Sequence, residues 1–171
     1  MSAHPDALRD TIAGEHRIAT PLDMHRLGRE LGEVLRAGDL VVLDGPLGAG
    51  KTTLARGVGE GLRVRGPVTS PTFVLARTHP NLAGGPALVH VDAYRLADAR
   101  ELDDLDIDFD RSVVLVEWGS GMLDGVADSW LEVTIERPAG GEAGPQNAEG
   151  EPIEPRHVTI AAHGPRWAQA E

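Results

Sequence analysis

Leu40-Val41-Val42-Leu43-Asp44-Gly45-Pro46-Leu47-Gly48-Ala49-Gly50-Lys51-Thr52-Thr53-Leu54 decides how the rest of the chain is read. Residues 40–43 are a short, continuous apolar run with β-branched content, followed by a glycine-rich turn. That pattern predicts a buried parallel strand. Residues 52–62 carry the pattern of a helix. Between them, Gly45 and Gly50-Lys51-Thr52 reproduce the spacing G-x-x-x-x-G-K-T in the strand–loop–helix context such a loop needs. The glycines let the backbone wrap a phosphate with its N–H groups inward, and the new helix adds its positive end. Lys51 is placed to reach β and γ phosphates, and the Thr52 hydroxyl to ligate Mg²⁺. No Asn-Lys-x-Asp segment selects guanine, so the expected nucleotide is ATP.

Lys51 is the only lysine among the 16 basic residues of the chain. Composition bias explains the arginine excess but not this exception. A compact ammonium on a flexible stem fits inside a phosphate loop, where a planar guanidinium is too bulky.

Working outward, Thr20-Pro21-Leu22-Asp23 reads as a helix entry, with Thr20 as N-cap and Pro21 at the first helical position. The apolar positions Leu22, Leu27, Leu31, Val34 and Leu35 predict an amphipathic helix that stops near Ala37-Gly38. Residues 1–19 read as a flexible N-terminus and 20–137 as the folded core. Phe73-Val74-Leu75, residues 87–91, 112–116 and 130–136, and a returning segment from 157 to 161, read as further strands. Residues 80–86 form a turn, and 98–110 a short acidic helix or loop resting on Leu102, Leu105 and Ile107. The Pro/Gly/Glu-rich residues 138–155 read as a flexible loop, and 156–171 as the final strand and tail. The expected architecture is a small three-layer α/β fold of the P-loop NTPase kind, with a mostly parallel central sheet and some antiparallel strands.

Composition narrows the chemistry. The 171 residues suit one domain with its own core, and the 4% of aromatics leave that core to Val, Leu, Ile and Ala. There are no cysteines, which excludes disulfides, Cys-ligated zinc and Cys nucleophiles. The seven histidines show no HExxH spacing, and no G-x-S-x-G elbow occurs. A formal net charge of −11 repels phosphate backbones, so strong direct binding to nucleic acid is not expected. No apolar run approaches the roughly 18 residues of a membrane span, and no signal peptide is evident. The expected location is the cytoplasm.

Two acidic residues complete the candidate site. Glu117 follows Val113-Val114-Leu115-Val116, so a carboxylate at the end of a buried strand is placed to hold Mg²⁺ or its waters. Trp118 packs over the site or caps the core; the sequence does not choose. In His90-Val91-Asp92-Ala93-Tyr94-Arg95, Asp92 is a candidate second acid near the metal, while His90 and Tyr94 read as structural. Arg95 reads as a partner for the acids that follow it. Ser70-Pro71-Thr72-Phe73 is either a γ-phosphate-sensing segment or a plain turn into a strand.

Four motifs in this order resemble one family. Gly-x-Leu-Gly-Ala-Gly-Lys-Thr-Thr-Leu at 45–54, Ser-Pro-Thr-Phe at 70–73, His-x-Asp-x-Tyr-Arg-Leu at 90–96 and Glu-Trp at 117–118 are together similar to the bacterial TsaE (YjeE) family. These are ATPases of tRNA threonylcarbamoyladenosine biosynthesis. The resemblance covers residues 20–137 and the strand from Arg156. It implies Mg-ATP bound by Gly45, Leu47, Gly48, Ala49, Gly50, Lys51, Thr52 and Thr53, with Arg156 near the nucleotide. Thr20 or Asp23, at the start of the first helix, is a further family match near it. Thr52 and Glu117 would hold the metal; Lys51, Asp92 and Glu117 would carry catalysis. Ser70 and Thr72 would lie in a switch-like segment.

The resemblance also implies the TsaB and TsaD proteins as partners, with tRNA reached only through that complex, and weak hydrolysis by the protein alone. Pro46, Gly119 and the stretch 138–155 depart from the family pattern. Two other functions fit the motifs: a small-molecule kinase with Asp92 as base, and a non-catalytic ATP-sensing module. The absence of Arg and Lys from 138–155 counts against a kinase lid.

Overall fold

The structure, a computed structural model, describes residues 13–46, 50–66, 68, 76–92, 107–117, 129–136 and 155–165. In chain order its elements are β1 (Gly14–Ile18), α1 (Pro21–Val34), β2 (Leu40–Asp44), α2 (Lys51–Leu62), β3 (Ala76–His79), β4 (Ala87–Asp92), β5 (Ser112–Glu117), β6 (Trp130–Glu136) and β7 (Arg156–His163). The seven strands form one sheet in the order β1-β7-β6-β2-β5-β4-β3. The middle strands β6, β2, β5 and β4 are parallel to one another. Both flanks are antiparallel, β3 on β4 at one end and β7 on β6 and β1 at the other. The expected mostly parallel centre with antiparallel additions is therefore observed.

Local chemistry accounts for the two helices. Thr20 is extended (φ −139°, ψ 161°), its hydroxyl accepts the Asp23 N–H at 3.1 Å, and Pro21 opens the helix. This satisfies one of the amides that a helix start leaves unpaired. Met24, Leu27, Gly28, Leu31 and Gly32 are the buried stripe of α1, at the 3.6-residue period. The helix stops at Val34, a few residues before the glycine expected to end it. Gly38 instead turns the chain with φ +91°. Buried Asp39 caps this turn, accepting the Arg36 N–H at 2.6 Å.

Both helices cover one face of the sheet. Leu27, Leu31, Leu54, Val58 and Leu62 pack there on Val41, Leu43, Leu88, Val113, Leu115, Leu131, Val133, Ile135, Val158 and Ile160. The alternate residues Leu40, Val42, Val89, Val91, Val114 and Val116 form a second core on the opposite face, with Ala76, Ile107, Phe109 and Trp130 against it. Every residue of β5 and residues 40–43 of β2 are buried, as a strand covered on both faces requires. β6 and β7 alternate buried with half-exposed residues, the signature of one covered face.

The helices approach each other unusually closely. A Cβ on Gly28 would stand 2.2 Å from the Leu54 carbonyl oxygen; on Gly32, 2.3 Å from that of Val58; on Gly57, 2.2 Å from that of His25; and on Gly61, 2.2 Å from that of Arg29. Backbone thus lies on backbone, and an ion-pair contact of 2.8 Å between His25 Nε2 and Glu60 closes the side of the pair.

One expectation is corrected. Residues 14–18, read as part of a flexible terminus, are an edge strand paired to residues 156–160. Only Ile18 of that strand is buried, so it carries almost no apolar pattern; its partner lies at the far end of the sequence. The strand expected at Phe73–Leu75 lies outside the described residues, which resume with β3 at Ala76–His79. Leu102, Leu105 and the stretch 138–154 also lie outside them. No helix among the described residues is long and apolar enough to cross a membrane.

Candidate functional site

The parallel strands β2, β4 and β5 end at the same edge of the sheet. In register, Leu43 of β2 lies beside Glu117 of β5, and Glu117 beside Asp92 of β4. Neighbours in register in a parallel sheet point the same way, so Glu117 and Asp92 join Leu43 on the helix-covered face. The chain leaves β2 at Asp44, passes through the glycine-rich loop and enters α2 at Lys51 on that face. One strand ending thus supplies the loop, and two neighbours supply carboxylates, at the edge where ligands bind in open α/β sheets.

Gly50 is the N-cap of α2 with φ +108°, a left-handed conformation that favours glycine. Its position faces the Met24 side chain of α1, so the start of α1 supports the end of the loop. The first α2 hydrogen bond runs from the Leu54 N–H to the Gly50 carbonyl. The amides of Thr52 and Thr53 therefore precede it, at the positive end of the helix. Both side chains are half-buried.

Lys51 is buried and folds back on the loop, its Nζ donating to the Gly45 carbonyl at 2.6 Å and the Pro46 carbonyl at 3.0 Å. Burial lowers its pKa below the usual lysine value, while the negative charges of Glu117 and Asp44 act to raise it. Asp44 also accepts the Gly45 N–H at 3.0 Å. Glu117 is 3% exposed and stands 3.4 Å from Nε2 of the fully buried His90. That contact lies within ion-pair range but lacks hydrogen-bond geometry, so among the described residues Glu117 Oε1 and both ring nitrogens of His90 have no hydrogen-bond partner.

Arg156 opens β7 and is buried. Because β7 is antiparallel to β6, and β6 parallel to β2, Arg156 stands at the same edge as the loop. Its buried alternation with Val158 and Ile160 places it on the helix-covered face. Thr20 acts as a helix cap, and Asp23 donates the capped amide.

The structure therefore brings together Gly45, Gly50, Lys51, Thr52, Thr53, Asp92 and Glu117, and places Arg156 along the same edge. Leu47, Gly48, Ala49, Ser70, Thr72, Tyr94, Arg95 and Trp118 lie outside the described residues. No group of three or more His, Asp or Glu side chains able to hold a metal occurs among the described residues. A Mg²⁺ held by one or two carboxylates together with phosphates does not need such a cage. Sequence reasoning took His90 as structural and missed its contact with Glu117. The only available signal was its two-residue spacing from Asp92, which puts both on one strand face.

Residues 18–143 match the family model described as "Threonylcarbamoyl adenosine biosynthesis protein TsaE". The chain belongs to the TsaE family. The TsaE protein of Streptomyces coelicolor is 54% identical over 151 residues, covering 86% of this chain and 96% of the relative. That of Bacillus subtilis is 30% identical over 154 residues, covering 88% and 87%. A crystal structure of Bacillus subtilis YdiB superposes with a TM-score of 0.65 at 27% identity, covering 90% of this chain and 87% of that one. The superposition agrees with the α/β sheet described above, and membership of the family places the protein in tRNA threonylcarbamoyladenosine biosynthesis. The TsaE match extends over the loop and both strand-end carboxylates, and ends before Arg156.

Proposed function

We propose that this member of the TsaE family binds Mg-ATP at the 45–53 loop and hydrolyses it in support of a TsaB–TsaD complex that modifies position 37 of tRNA. The observation that carries this reading is the convergence of buried Lys51, buried Glu117 and Asp92 on the loop at one sheet edge. A buried carboxylate at a strand end and a buried lysine among loop carbonyls suit a cation and a polyphosphate respectively.

Thr52 and Glu117 would hold Mg²⁺, and Lys51 with the loop amides would hold the β and γ phosphates. When bound, the metal supplies positive charge against the charge that develops on the phosphoryl oxygens. The chain's own contribution is then positional. The amides of α2 stabilise charge without reorganising, Asp92 or Glu117 orients the attacking water, and Arg156 borders the nucleotide.

The test is ATP hydrolysis with Mg²⁺, for the protein alone and with TsaB, TsaD and tRNA, beside Lys51→Ala. Partner-stimulated hydrolysis that falls by about 10²-fold or more in Lys51→Ala is expected. Turnover indifferent to those partners would refute the partnership. Turnover indifferent to Lys51→Ala would refute the site.

A further inference from the structure

Among the described residues, three of the five buried side-chain nitrogen and oxygen atoms without a hydrogen bond belong to a single pair, His90 and Glu117. A buried polar group left unpaired costs about 1–3 kcal/mol, so such a concentration needs a reason. His90 is fully buried on β4, flanked in register by Leu115 of β5 and Arg77 of β3. It lies two residues before Asp92 on the same strand face. Its Nε2 stands 3.4 Å from Glu117 Oε1, within ion-pair reach but without the geometry of a hydrogen bond.

We propose that His90 is a positioning residue for Glu117. Its Nε2–H holds Oε1 and leaves the other carboxylate oxygen to serve the divalent cation shared with Thr52. The inference rests on the Mg-ATP reading above. A carboxylate at a strand end has three rotatable bonds, and a metal ligand must sit in one orientation before the cation arrives. Outer partners of metal ligands do this by fixing the ligand's rotamer. A neutral imidazole carrying its proton on Nε2 suits the role, because it donates to the carboxylate without adding a competing positive charge. β4 then contributes twice to the edge, with Asp92 directly and with His90 through Glu117.

The experiment measures affinity for β,γ-imido-ATP by titration calorimetry, in Mg²⁺ and in EDTA, with thermal melts of each variant. His90→Leu is expected to weaken binding in Mg²⁺ by about 10-fold while leaving affinity in EDTA unchanged. His90→Gln, whose amide reaches the place of Nε2, retains most of the Mg²⁺-dependent gain. In a Glu117→Gln background, His90→Leu weakens binding no further. Should His90→Leu not fold, His90→Asn replaces it, since its amide occupies the place of Nδ1 and not of Nε2.

Equal losses in Mg²⁺ and EDTA, equal losses in the Leu and Gln variants, or additive losses with Glu117→Gln would overturn the proposal and leave His90 as packing. Wild-type protein whose nucleotide affinity ignores Mg²⁺ would overturn the underlying reading itself.

Discussion

Replacing Gly57 by alanine sets two known effects against each other. An alanine in a helix interior is favoured over glycine by about 1 kcal/mol. At Gly57 the added methyl would stand 2.2 Å from the His25 carbonyl oxygen, 2.9 Å from the Arg29 nitrogen and 3.1 Å from the Gly28 carbonyl carbon. All three are backbone atoms of α1, so no side-chain rotation relieves them. Ordinary contact begins near 3.4 Å, so the axes must part by roughly 1 Å, and a gap of that size forfeits a quarter to a half of each dispersion contact. Overpacking of this kind costs typically about 1–3 kcal/mol, and a clash with rigid backbone belongs at the upper end. The net expectation is a loss of about 2 kcal/mol after the propensity gain, or roughly 4–8 °C in Tm for a chain of this length. Urea unfolding followed by circular dichroism measures it. Nucleotide affinity should fall as well, because α2 carries the loop and α1 supports Gly50 through Met24. A Gly57→Ala protein more stable than wild type by about 1 kcal/mol would show that propensity prevails, and would refute backbone contact between the helices.

Two other substitutions probe the site and its surroundings. Lys51→Met should abolish nucleotide binding yet melt no lower than wild type without ligand, because burial outweighs Glu117 and Asp44 in lowering the lysine pKa. For a lysine whose folded pKa is depressed, the unfolded chain binds more protons, so wild-type stability rises with pH up to the ordinary value of 10.5. The advantage of Lys51→Met should therefore shrink in melts carried from neutral pH towards that value, and an advantage that grows would reverse the assignment. Asn81 donates to the Leu62 and Pro86 carbonyls at 2.7 and 2.9 Å and accepts the Ala83 and Gly85 amides at 2.7 and 3.1 Å. Asn81→Asp removes both donations and sets a carboxylate against two carbonyls, so a loss of about 1–3 kcal/mol is expected in urea unfolding. An unchanged midpoint would mean that water replaces those bonds freely.

Both helices and the strands β2, β4, β5, β6 and β7 were legible because each is specified locally. Apolar runs, a proline at a helix start and a glycine-rich turn are short-range signals, and Leu40–Leu43 carries its burial in its own composition. β1 was not legible because its order comes from β7, and a strand with one buried residue has no pattern to read. The end of α1 was misplaced because Gly38 serves the turn into β2, where Asp39 also caps, and not the last turn of the helix. At the site, the placing of Lys51, Asp92 and Glu117 at one edge of the sheet was legible because motif spacing reports strand ends. The His90–Glu117 contact was not, since register between β4 and β5 is a tertiary fact.

The order of the sheet also sets an order of synthesis. Leu43 lies between Glu117 and Val133, and Gly14 beside Ile160, so neither β2 nor β1 has a neighbour until much of the chain has emerged from the ribosome. α1 and α2 need wait only for each other. A nascent chain can therefore hold a two-helix hairpin on either side of a bare Leu-Val-Val-Leu strand, with the loop's supporting strand exposed for the time it takes to translate more than seventy further residues. Long-range pairing of this kind is slow to form and leaves apolar segments open to misassociation. The apolar strand that leads into the glycine-rich loop is thus open to misassociation for much of the chain's synthesis.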